Sequence, residues 1–230
     1  MKYEHKTLFL DIETTGLIPH RVVPGKRIGA TRKEQFSYED DYMDFPRIVS
    51  IAWAVNDGEV NHYILNQNGL DIPKEASDIH GITSEMANKS TIYFGDGAVL
   101  GTLLEEAGGS GVVVGHGLYF DTSIIKANVL REIKNNSLDK RDFDRTTTAL
   151  HKDKRIDTMR SSAKMCRKWP TLSELHFKLF REGFTCHDAK SDVEATRRCY
   201  LWLLQKGIVP TYAELLERSV EKQEKTLTNN

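Results

Sequence analysis

The chain lacks any long hydrophobic run, has few cysteines and carries almost no net charge. A membrane-crossing helix needs roughly 20 consecutive apolar residues, whereas one of the longest stretches here, Ile51-Ala52-Trp53-Ala54-Val55, stops at five. No membrane span is expected. Behind Met1-Lys2-Tyr3-Glu4-His5-Lys6 there is no apolar core of a secretory signal, so the expected location is the cytoplasm. The 3 cysteines, Cys166, Cys186 and Cys199, are odd in number and lack zinc-type spacing, which argues for reduced thiols rather than a disulfide framework. With 32 Lys plus Arg against 33 Asp plus Glu, the formal charge of -1 does not advertise a polyanionic partner.

What is present is a globular composition, 39% hydrophobic and 28% charged. That leaves enough apolar surface to offset the entropy of ordering, so disorder is not expected. At 230 residues a single domain is the default. Thr7-Leu8-Phe9-Leu10 reads as a buried strand that runs into a turn at Gly16. The polar stretch 18–45, basic in its first half and acidic in its second, is too long for an ordinary connection and reads as a surface insertion. Residues 47–55 and 59–65, joined through Asn56-Asp57-Gly58, predict a hairpin. A helical then looped stretch is expected over 73–86, a helix over 97–107 and a short central strand at Val112-Val113-Val114. Further helices are predicted over 121–135, 171–180 and 189–204, and an amphipathic one over 212–220 before a fraying end at 226–230. Antiparallel strands first, then strands alternating with helices, describe an α/β fold, a mixed sheet with helices on its faces.

The chemistry lies in a few acids. Asp11 and Glu13 are two apart at the end of the first strand, so both side chains share one face of the sheet. Two unit charges ~4 Å apart repel by about 4 kcal/mol at an effective dielectric of 20, so such a pair needs a proton, a basic partner or a metal. Asp121 falls where Val112-Val113-Val114 passes through a glycine-rich turn into a helix, and is expected in that helix's first turn. His187 precedes the 189–204 helix and Asp192 is expected in its second turn, so both can point to one edge. Singly, each has a plainer reading: a salt-bridged strand end, a helix-start carboxylate held by backbone N–H groups, a surface imidazole. Together, four carboxylates and an imidazole make a site for two hard divalent cations, Mg²⁺ or Mn²⁺. Two such ions can stabilise the attacking and leaving oxygens of a phosphoryl displacement, and an imidazole of ordinary pKa near 6.5 suits the removal of a proton from water.

Three segments, Phe9-Leu10-Asp11-Ile12-Glu13-Thr14-Thr15-Gly16, Gly115-His116-Gly117-Leu118-Tyr119-Phe120-Asp121 and His187-Asp188-Ala189-Lys190-Ser191-Asp192-Val193-Glu194-Ala195, resemble in order the exonuclease motifs of the DEDDh 3′-to-5′ exonucleases. Ile79-His80-Gly81-Ile82-Thr83 resembles the His-Gly-Ile-Thr element of the proofreading-type members, and Ile156-Asp157-Thr158 their Ile-Asp-Thr strand. The resemblance covers about residues 7–206 and implies a ribonuclease H-like exonuclease domain over 1–206, with 207–230 as a helical tail. It further implies release of nucleoside 5′-monophosphates from a 3′ end. Asp11, Glu13 and Asp192 would hold the tighter ion, Asp11 would bridge to the second, Asp121 would support the cluster and His187 would be the general base. Thr14, Thr15 and His80 would meet the terminal nucleotide, unless they serve only to form the turn and cap a helix. Gly117 departs from the family's common Asn.

Partners implied are DNA or RNA 3′ ends, within a polymerase or repair setting. The window 131–168 holds 12 Lys plus Arg against 6 Asp plus Glu and is expected either to be a solvated face or to track a nucleic-acid backbone, with Tyr119, Phe120 and Trp169 as candidate stacking surfaces, although Phe120 is expected in the core. The leading expectation is a DNA exonuclease that prefers single strands. An exoribonuclease and a non-catalytic nucleic-acid-binding protein on the same fold are the alternatives. A Cys-His hydrolase using Cys186 is remote, since adjacent residues rarely present nucleophile and base to each other.

Overall fold

In the computed structural model, residues 3, 5–24 and 31–228 are described. The central strand is β1 (Thr7–Thr14). It pairs antiparallel with β4 (Ile48–Val55) on one side and parallel with β6 (Val112–Gly115) on the other. Adding β5 (Asn61–Ile64) outside β4 and β7 (Arg155–Asp157) outside β6 gives the order β5-β4-β1-β6-β7. The expected mixed sheet is therefore present, its hairpin half antiparallel and its other half parallel.

Alternation along β1 divides the core in two. Leu8, Leu10 and Ile12 face one hydrophobic cluster, which includes Ile124, Ile125 and Val129 of α4 (Leu118–Lys134) and Leu103 and Leu104 of α3 (Thr102–Gly108). Phe9 faces the other, with Val193, Cys199, Tyr200 and Leu203 of α8 (Ala189–Gln205) and Leu175 of α7 (Leu172–Phe180). The edge of the Phe9 ring meets Tyr200 with centroids 5.6 Å apart. Asp11 and Glu13 continue the Phe9 side of the strand, so the helix that covers Phe9 also covers the acids.

The expected 73–86 segment resolves into α1 (Lys74–His80) and α2 (Ser84–Lys89), and the 97–107 helix opens with a π-helical turn at Gly97–Gly101 before α3. Two helices lie where the sequence shows no apolar period. One is α5 (Lys140–Ala149), started by a capping box between Asp139 and Asp142; the other is α6 (Thr158–Cys166), capped by Asp157. The 18–45 stretch contains a separate hairpin, β2 (His20–Pro24) paired with β3 (Thr31–Gln35). Its acidic end is tied down by Arg131, a buried side chain of α4 that donates to the carbonyls of Tyr42 and Phe45 at 2.8 and 2.7 Å. The last helix, α9 (Tyr212–Thr228), runs past the expected end at Val220 through a helix-favouring Glu/Lys-rich segment. Of the expected fraying end, 229–230 lie outside the described residues. Among the described residues no helix is long and apolar enough to cross a membrane.

The basic window does not form one groove. Arg131 points inward, Lys154 donates to the Ala107 carbonyl and Arg155 to the Thr122 hydroxyl. Arg141 and Arg145 pair with Asp139 and Asp142, and Lys168 with Glu174. A local excess of cations thus serves caps and tertiary anchors as much as it serves a surface.

Candidate active site

The register of the sheet opens a gap at one end of β1. Strand β6 pairs as far as Phe9 with Val114 and ends at Gly115, so Asp11 to Thr14 have no strand on that side. The start of α4 fills the gap. A Cβ on Gly115 would lie 2.7 Å from Leu118 Cδ1 and 3.2 Å from the Leu10 carbonyl oxygen, so only glycine lets the helix start this close to the strand. Gly117 caps α4 with φ 84, a left-handed conformation that glycine adopts freely and asparagine tolerates.

Asp121, in the first turn of α4, is buried beside the end of β1. On the other face, Asp192 lies in the first turn of α8, not the second as expected, because the helix begins at Ala189 after the Asp188 cap. Asp11, Glu13 and Asp192 bring carboxylate oxygens within 4.8 Å of one another, an arrangement that could hold a metal ion. Asp121 is not in that trio, but lines the same cleft of about 660 Å³ with Asp11, Glu13, His187 and Asp192.

Electrostatics make the same point. Burial pushes Asp11 well above the usual carboxylate range, and the charges of Asp121, Asp192, Glu13 and Asp188 push it further. Burial raises Glu13 to about 7, with Asp192 and Asp188 adding to the effect. It raises Asp121 to about 8 and Asp192 to about 7, the latter despite the His187 N–H that Asp192 accepts. Among the described residues no lysine or arginine forms a salt bridge with any of the four. An all-oxygen set of acids, crowded and without a basic partner, has the chemistry of a hard-cation site, and Mg²⁺ or Mn²⁺ fits it.

His187 has φ 63, and its backbone N–H donates to Asp192 Oδ2 at 2.9 Å. The imidazole is exposed and borders both the main cleft and a second one of about 540 Å³. Thr14, Thr15 and His80 line that second cleft. The two threonine hydroxyls are engaged locally: Thr14 Oγ1 donates to the Gly16 carbonyl at 2.7 Å and Thr15 Oγ1 accepts from the Arg47 N–H at 2.9 Å. His80 Nδ1 accepts from the Ile82 N–H at 3.1 Å, and burial lowers the imidazole's pKa, which favours the neutral ring. All eight expected residues thus line one or other of two adjoining clefts, Thr14, Thr15 and His80 only the second.

The model of the RNase T family, described as an exonuclease family, matches residues 8–200. The chain belongs to the RNase T exonuclease family. No curated protein matches it. Among solved structures, the chain is similar to Escherichia coli exonuclease I in complex with a dT13 oligonucleotide, with a TM-score of 0.59 and 17% identity over 87% of this chain and 41% of that one. Exonuclease X in complex with 5′ overhanging duplex DNA matches with a TM-score of 0.50 and 16% identity over 91% and 98%. A 3′-exonuclease that recognises the histone mRNA stem-loop matches with a TM-score of 0.56 and 10% identity over 90% and 84%. The chain spans about two fifths of the exonuclease I structures it matches. These similarities establish the ribonuclease H-like fold.

In this RNase T-family chain, several residues in or beside the two clefts have roles that the sequence motifs do not show by themselves. Asp188 caps α8 through the Ser191 N–H and hydroxyl, and adds a fifth negative charge beside Asp11 and Glu13. Asp157 Oδ1 accepts from the N–H groups of Gly117 and Met159, joining the turn before α4 to the start of α6. His116 bridges Thr158 Oγ1 and the Pro170 carbonyl, each at 2.9 Å. Burial lowers its pKa; Nε2 donates to the Pro170 carbonyl, and the Thr158 hydroxyl beside Nδ1 also donates to the Gly115 carbonyl at 3.1 Å. Leu17, 83% exposed, stands between the two clefts. The long-range partners of His116 and Asp157 are found only when the fold closes.

Proposed function

We propose that the chain is a metal-dependent 3′-to-5′ exonuclease acting on DNA, preferably single-stranded, and releasing nucleoside 5′-monophosphates. The observation that carries this reading is the convergence of Asp11, Glu13 and Asp192 within 4.8 Å, with Asp121 and His187 on the same cleft, in a chain of the RNase T exonuclease family.

Two divalent cations, Mg²⁺ or Mn²⁺, would supply charge stabilisation for the attacking and leaving oxygens. Asp11, Glu13 and Asp192 would hold the tighter one, with Asp11 shared and Asp121 completing the set. Their raised pKa values mean that cation binding releases protons, so loading favours neutral to alkaline pH. His187 takes the proton from the attacking water. Its exposed ring can approach the scissile phosphate, while the N–H bond to Asp192 fixes its backbone to the acidic cluster. The branch lined by Thr14, Thr15 and His80 receives the terminal nucleoside. Because the threonine hydroxyls are engaged with backbone, that contact is made by main-chain groups and shape, with the neutral His80 ring as the polar side chain.

DNA is favoured by the similarity to the dT13 and overhanging-duplex complexes. The similarity to the enzyme of the histone mRNA stem-loop supports RNA as a second reading. Partners are accordingly nucleic-acid 3′ ends. The test is digestion of DNA and RNA oligonucleotides of one sequence with Mg²⁺ or Mn²⁺, with products separated by chromatography. Faster release of deoxynucleoside 5′-monophosphates is expected; faster release of ribonucleotides reverses the substrate, and 3′-monophosphates or no hydrolysis contradict the mechanism.

A further inference from the structure

The main cleft does not end at the carboxylates. From Asp11 and Glu13 it continues past Tyr119 to Met159, Arg160 and Trp169. Trp53 is wholly buried, whereas Trp169 leaves 67% of its surface in water. An exposed indole on a loose loop would carry little meaning, but this loop is fixed on every side. Arg167 ends α6 in the left-handed conformation, Lys168 pairs with Glu174, and Glu174 accepts the Thr171 N–H at 2.9 Å. The carbonyl of Pro170, next to the indole, accepts from His116 in the second motif at 2.9 Å. The Arg160 guanidinium lies 5.8 Å from the Trp169 ring centre and 3.7 Å from Asp157, whose carboxylate also holds the Gly117 N–H. Trp169 and Arg160 are therefore positioned by the turn that positions Asp121.

A flat, rigid, exposed ring beside a guanidinium suits a ligand that carries a π surface next to an anion. A nucleobase on a phosphodiester backbone is such a ligand. The two clefts share Ile12, Glu13, Leu17, Phe120 and His187, so they adjoin at the acidic cluster, with His80 lining only the one and Trp169 only the other. With the 3′-terminal nucleoside in the His80 branch, the remaining strand leaves along the Trp169 branch. We propose that Trp169 is the stacking platform for an unpaired base on the 5′ side of the scissile phosphate, with Arg160 beside it facing the strand's backbone. This rests on the exonuclease reading above and deepens it, since a base that stacks there has left its complementary strand. Stacking on an indole tolerates any base, so the platform selects for single-strandedness rather than sequence.

The test compares a single-stranded thymidine oligonucleotide with the p-nitrophenyl ester of thymidine 5′-monophosphate, which has no base on the 5′ side. The ratio of kcat/KM for oligonucleotide to that for ester is expected to fall about 5- to 100-fold in Trp169→Ala, mainly through KM, and much less in Trp169→Phe. Independently of turnover, the oligonucleotide in EDTA should quench tryptophan fluorescence in wild type and Trp202→Phe, but not in Trp169→Phe. An unchanged ratio in Trp169→Ala, or wild-type quenching in Trp169→Phe, overturns the platform while leaving the exonuclease reading in place. Wild-type protein that hydrolyses neither compound overturns the exonuclease reading, and the strand path with it.

Discussion

Asp11 is the side chain on which the other acids converge: burial and four neighbouring carboxylates all disfavour its charge. Its replacement separates function from stability. Asp11→Asn should abolish hydrolysis, yet stabilise the metal-free protein at pH 8, because a carboxylate whose charge is disfavoured there is removed. Thermal unfolding in EDTA beside an activity assay checks both; an unstable variant, or one that still turns over, contradicts the account. His187→Ala should lower kcat by roughly 10²–10⁴ with the fold unaffected, since its side chain is exposed and its bond to Asp192 uses the backbone. Asp11 and Glu13 are legible in the sequence because strand periodicity puts them on one face, and Asp192 through the motif it shares with His187. Asp188 is not, since its Ser191 contact looks like an ordinary helix cap.

At the scale of elements, the site depends on how closely α4 starts against β1. Gly117→Asn keeps the left-handed cap and meets only Met159 Cε, 3.8 Å from the new Cβ, so stability should change by less than about 1 kcal/mol. Gly115→Ala forces a Cβ to 2.7 Å from Leu118 Cδ1 and should cost about 1–3 kcal/mol. Denaturant titration of the two variants distinguishes them, and equal losses would contradict the role given to Gly115. The strands and the long helices α4 and α8 follow from apolar runs and spacing. Helix α5 and strand β3 do not, because their sequences are dominated by charged and hydroxyl side chains. The helix is started by a capping box and the β2–β3 hairpin is held by cross-strand pairing, while Arg131 fixes the segment after the hairpin at Tyr42 and Phe45.

For the whole molecule, the acidic cluster links folding, pH and metal. In the metal-free fold Glu13 and Asp192 titrate near 7 and Asp121 near 8, against ordinary values of 4.5 for Glu and 3.8 for Asp. The folded state then holds protons that the unfolded chain has already lost, so the cluster's contribution to stability is fullest below about pH 4 and declines as pH rises to about 8. Mg²⁺ should reverse this, raising Tm strongly at pH 8 and little at pH 5; binding at 100 times Kd corresponds to about 2.7 kcal/mol. Melting curves across pH, with EDTA or Mg²⁺, measure it, and a metal-free protein whose Tm rises steadily from pH 5 to 8 would contradict the placement of these acids. The balanced charge of -1 conceals this polarity, since acids gathered at one cleft cancel cations spent on anchors elsewhere.

Metal-dependent removal of nucleotides from the 3′ end underlies all of these expectations. Single-stranded DNA labelled at either its 3′ or its 5′ end, incubated with Mg²⁺ and with EDTA, tests it most directly. The 3′ label should leave first as a mononucleotide while the 5′-labelled strand shortens stepwise, and EDTA should stop both. Early release of a 5′-labelled mononucleotide, internal cleavage, or activity that survives EDTA would contradict it.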